Sequence, residues 1–65
     1  MNPAQLRFIL TRLELSAPEA AHLLGVEPRT VNRWIAGQRG IPFAVEIILD
    51  LLLRGIVSRY ELKRR

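Results

Sequence analysis

Sixty-five residues make one domain, and a chain this short buries only about 60% of the surface it exposes when unfolded, so its own core gives marginal stability. With no cysteine and a single histidine, His22, the sequence carries no disulfide framework and neither a thiolate nor a histidine-rich metal site. Ten Lys+Arg against six Asp+Glu give a formal net charge of +4 and favour an anionic partner; nine of the ten cations are arginine, whose planar fork matches phosphate or a guanine edge.

The chain opens on Met1-Asn2-Pro3-Ala4-Gln5, with no basic stretch leading into an apolar run and a small-residue cleavage site, so the expected compartment is the cytoplasm. Asn2 as N-cap, Pro3 at the first helical position and Gln5 three residues after the cap predict a first helix from Pro3 to about Leu13. Its apolar stripe is Leu6, Ile9, Leu10 and Leu13. Ser16 and Glu19 form a second capping box, which opens a two-turn helix carrying Ala20, Ala21, Leu23 and Leu24 and ending at Gly25. Pro28 starts a third helix that must end near Gly37.

A fourth helix opens at Pro42 and packs nine apolar residues into the eleven from Phe43 to Leu53. Glu46, Asp50 and Arg54 share one narrow polar stripe, which leaves an apolar arc of roughly 240° where a surface helix of a monomer needs little more than 100°. That surplus predicts a second contact surface, and two copies of the chain are expected to associate over the region from about 42 to 62. The interface residues are Ile48, Leu52, Ile56, Val57, Tyr60 and Leu62. A membrane span is excluded, because eleven residues interrupted by two acids fall short of the roughly 20 required. In the tail, Ser58 and Glu61 repeat the capping-box pattern while Ile56, Ser58, Tyr60 and Leu62 alternate as in a strand; the reading taken is a short fifth helix. The expected fold is all-α, a compact bundle of about five short helices in a single domain spanning 1–65.

The third helix carries the chemistry. On a helical wheel Arg29, Asn32, Arg33 and Ala36 occupy about 100° of one side, and Val31, Trp34 and Ile35 occupy about 100° of the other. One side can pack on the domain while the other presents two guanidinium forks, an amide and a small side chain. Arginine pairs bidentately with guanine, asparagine with adenine, and alanine meets a thymine methyl, so this face has the donor and acceptor set for base edges in a major groove. Between Pro28 and Val45 the only charged residues are Arg29, Arg33 and Arg39, all positive.

The run "PEAAHLLGVEPRTVNRWIAGQRGIP" resembles the helix-turn-helix family of Cro/C1 type, also called XRE-like, the small phage-repressor-like regulators. It matches in Ala21 within the first motif helix, Gly25 at the turn, Val26 after it, Val31 and Trp34 in the second helix, and Gly37, Arg39, Ile41 and Pro42 in the connection that follows. The motif covers about 17–37. The resemblance implies a lambda-repressor-like domain in which Arg29, Thr30, Asn32 and Arg33 touch DNA, with Gln38 and Arg39 positioned on the phosphate backbone. Two places depart from the family pattern. Glu27-Pro28 stands where a polar capping residue is usual, and Ala17-Pro18 where a glutamine often meets the backbone; neither Ala17 nor Pro18 is assigned a DNA role.

The functional expectation is therefore a homodimeric, sequence-specific regulator of transcription, a repressor or autorepressor of phage or mobile-element type that binds an inverted-repeat operator in double-stranded DNA. No effector domain, cofactor, metal, membrane or small-molecule ligand is expected, and no enzymatic activity. The alternative is an antitoxin-like or adaptor module whose apolar helix 42–53 binds a different protein. Without the flanking motif, Arg29, Asn32 and Arg33 would read as a solvated helix face; Trp34 reads as a core anchor, and His22 as an ordinary surface group.

Overall fold

The computed structural model describes residues 1–55 and contains four helices, α1 (Pro3–Arg12), α2 (Ala17–Leu24), α3 (Pro28–Ile35) and α4 (Phe43–Arg54). The all-α expectation holds over these residues. The expected fifth helix, the strand-like alternative for the tail, and the interface residues Ile56, Val57, Tyr60 and Leu62 lie outside the described residues.

Local chemistry starts the first two helices. The Asn2 side chain accepts from the Gln5 backbone N–H at 2.8 Å while the Gln5 side chain accepts from the Asn2 N–H at 2.9 Å, satisfying two amides that no helical carbonyl can reach. Ser16 and Glu19 repeat the arrangement at α2, at 3.2 and 2.9 Å. Three helices end alike, through a backbone bond from a residue just past the helix to the carbonyl five positions earlier: Leu15 to Leu10, Val26 to Ala21 and Gln38 to Arg33, at 2.9, 3.0 and 2.9 Å. This closure needs one residue in the left-handed region. Gly25 (φ 72°) and Gly37 (φ 76°) supply it after α2 and α3, whereas after α1 the position is Glu14, at φ 56°.

The core joins all four helices. Leu6, Ile9 and Leu10 enter from α1, Leu15 from the turn after it, Ala20 and Ala21 from α2, Val31 and Trp34 from α3, and Val45, Leu49 and Leu52 from α4. α2 packs most extensively on α3, and Ala20 and Ala21, both fully buried, let the two helices approach closely. α1 bridges the molecule, packing on both α3 and α4.

Two of the residues expected at an interface between copies lie on α4. Leu52, expected at an interface between copies, is turned into the core at 8% exposure, and Ile48 is half-buried against that core. Val45, Leu49 and Leu52 fall within about 60° of one another on the helix, so the domain's own packing uses this part of the wide apolar arc. Among the described residues, the large apolar groups left exposed are Phe8 on α1 and Phe43, Ile47 and Leu53 on α4. The polar stripe is also divided: Asp50 pairs with Arg54 at 3.0 Å, whereas Glu46 lies 2.9 Å from the α-amino group of Met1. No described helix is long and apolar enough to cross a membrane.

Candidate nucleic-acid interface

α3 is fixed from behind. Val31 is fully buried and Trp34 is 2% exposed, so the helix cannot rotate without withdrawing both from the core. The indole Nε1 of Trp34 is buried with no hydrogen-bond acceptor among the described residues, so this side chain holds α3 by packing area alone. The anchor role expected of Trp34 is borne out.

With Val31 and Trp34 turned inward, the opposite face is presented to solvent. Arg29, Asn32 and Arg33 are exposed on α3, Gln38 and Arg39 are exposed in the turn beyond it, and Thr30 is half-buried. The six residues expected at the site therefore lie on one helix and its exit turn, five of them open. Eight residues of helix span about 12 Å, a length compatible with insertion into a groove about 12 Å wide.

The three arginines differ in their electrostatic state. Arg29 Nε lies 2.6 Å from Glu27 Oε2, while neither Arg33 nor Arg39 has an ion-pair partner among the described residues. Glu27 occupies the N-cap of α3 in extended conformation, yet its side chain makes no capping hydrogen bond. The absence of a polar capping residue at Glu27-Pro28 thus has a structural counterpart: the carboxylate that does not cap the helix binds its second residue. Both partners are about two-thirds or more exposed, and a pair in that setting contributes about 0–1 kcal/mol to stability.

The other end of α3 is tied to α1. Arg7 Nη1 donates to the Ile35 carbonyl at 3.1 Å, placing a cation where the last carbonyls of α3 concentrate negative potential. Sequence reasoning missed Arg7, because its acceptor lies 28 residues away and no periodicity links the two.

On another side, an open groove of about 820 Å³ runs between α1 and α4, lined by Phe8, Ile9, Phe43, Ile47 and Leu53 with Glu46 and Asp50 among them. Among the described residues no group of three His, Cys, Asp or Glu is placed to hold a metal ion, and His22 is exposed on α2. The chain matches no protein-family model, no curated protein and no solved structure.

Proposed function

We propose that the chain is a sequence-specific double-stranded DNA-binding regulator of the Cro/C1, XRE-like helix-turn-helix type, with α2 as the supporting helix and α3 as the recognition helix. The observation that carries this reading is the division of α3 into a buried side, Val31 and Trp34, and an open side, Arg29, Asn32 and Arg33, continued by Gln38 and Arg39. A purely solvated face would gain nothing from excluding acidic residues, yet from Pro28 to Val45 every charge is positive. Arg33 and Asn32 read base edges; Arg39 and Gln38 lie on phosphate and set the register.

Two copies bind an inverted-repeat operator whose half-sites lie one turn, about 34 Å, apart, and repression follows from occupancy. The exposed Phe8, Phe43, Ile47 and Leu53 supply apolar surface for that association. The same surface favours a second reading, an antitoxin-like or adaptor module that binds a different protein. Sedimentation of the purified chain separates the two: a dimer on its own supports the regulator, and a monomer that pairs only with another chain supports the adaptor.

Selection of binding sequences from random duplex tests the DNA reading directly, with an inverted repeat as the expected outcome and absence of any enriched sequence as the result that removes it. On the selected site, Arg33→Ala is expected to lose about 1–3 kcal/mol of binding and relax the preference at one base pair. Arg39→Ala is expected to weaken all sequences alike and to reduce the salt slope by about 1. Unchanged binding by both variants removes the site assignment.

A further inference from the structure

Glu27 is out of place on the face just described. A carboxylate beside a DNA-facing helix repels phosphate, it adds no capping hydrogen bond to α3, and its ion pair is too exposed to matter for the fold. Its geometry toward Arg29 is specific. Residues two apart on a helix do not face one another, but Glu27 precedes the helix in extended backbone, at φ −78° and ψ 149°, and this lets its side chain reach the guanidinium. The contact is made to Nε, the inner edge of the fork. The outer edge of a guanidinium, Nη1 and Nη2, carries parallel N–H donors of the kind that pair with guanine O6 and N7.

Resting on the DNA-binding reading above, we infer that Glu27 is a specificity-determining residue: it holds Arg29 by Nε so that the Nη edge reads guanine and the side chain is withheld from phosphate. An arginine at the start of a recognition helix has two kinds of acceptor within reach, the phosphate oxygens of the backbone and the base edges of the groove. A partner on Nε biases the rotamers of the long side chain before DNA arrives, by up to about 1 kcal/mol for so exposed a pair, and so lowers the ordering cost of base contact. The same carboxylate repels any docking that brings phosphate to the helix N-terminus, and penalising the wrong complex raises specificity even where it lowers affinity. Glu27 touches no base in this scheme; it acts through Arg29.

The test compares Glu27→Gln and Glu27→Ala with the unaltered chain, using the selected duplex, duplexes changed at each single base pair, and an unrelated duplex. Discrimination at one guanine-containing base pair is expected to fall by about 2- to 5-fold in both variants, the most that an ion pair of up to about 1 kcal/mol can hold, against the roughly 5- to 150-fold that a bidentate pair contributes. Affinity for the unrelated duplex is expected to rise, with a log–log salt slope steeper by up to about 0.9 for one more arginine on phosphate. Arg29→Ala is expected to lose the preference at the same base pair, and adding Glu27→Gln to it to change nothing further there. A structural role alone would lower affinity for every duplex in step with thermal stability, and that result overturns the inference. So does an unaltered preference at every base pair in Glu27→Gln when the unaltered chain still selects its site; failure of the unaltered chain to select any sequence instead overturns the DNA reading, and the inference with it.

Discussion

Glu14 holds a conformation that glycine adopts freely and glutamate does not. At φ 56° it is the non-glycine residue with positive φ among those described, and it fills the position after α1 that Gly25 and Gly37 fill after α2 and α3. The left-handed conformation costs a residue with a Cβ about 1–2 kcal/mol, while glycine adds about 0.4–1 kcal/mol of unfolded-state entropy to be lost on folding. Glu14→Gly is therefore expected to stabilise the chain by about 0.5 kcal/mol, a rise of roughly 2–4 °C in melting temperature for a domain of this size. An unchanged or lowered melting temperature removes the strain argument. The two glycine closures were legible because the residue type announces the conformation. At Glu14 the conformation follows from Leu15, which enters the core already occupied by Leu10, and the chain between them must turn whatever residue stands there. The same contrast separates Trp34, whose burial the wheel predicted, from the Arg29–Glu27 pair, which needed the extended N-cap backbone to be seen.

At the scale of elements, the starts of α1 and α2 were legible to the residue because a capping box involves side chains only three positions apart. α3 has no such box. Its N-terminus carries Glu27 without a capping bond, its far end is held by Arg7 from α1, and Val31 and Trp34 fix its rotation. Since α3 presents the candidate interface, the tie to Arg7 sets how firmly that face is offered. Arg7→Ala is expected to lower stability by about 1 kcal/mol, the contribution of a solvent-accessible bond from a charged donor to a helix C-terminus. Urea unfolding checks this as a lowered midpoint at constant slope, and an unchanged midpoint shows the bond to be energetically silent.

Over the whole molecule, the distribution of apolar surface decides what the chain can join. α4 holds more apolar residues than one core needs, and the structure shows which of them the domain uses: Val45, Leu49 and Leu52 face inward, while Phe43, Ile47 and Leu53 are left on the groove with Phe8. Leu52→Ala is accordingly expected to cost about 2–5 kcal/mol, a large part of the stability of so small a domain, measured by thermal or chemical unfolding. Phe43→Ser, at 74% exposure, is expected to leave the stability of the single chain within about 0.5 kcal/mol and to weaken association in sedimentation. Association unaffected by Phe43→Ser places the contact between copies elsewhere. The sequence by itself determined the positions of the four helices and the polar face of α3, because caps, turn residues and periodicity act over five residues or fewer. Tertiary structure alone decided which part of the α4 arc is buried, that Arg7 meets the end of α3, and that Glu14 adopts the left-handed region. A wide apolar arc has no unique inward direction until other helices supply the surface it packs on, and long-range contacts form only once that surface exists.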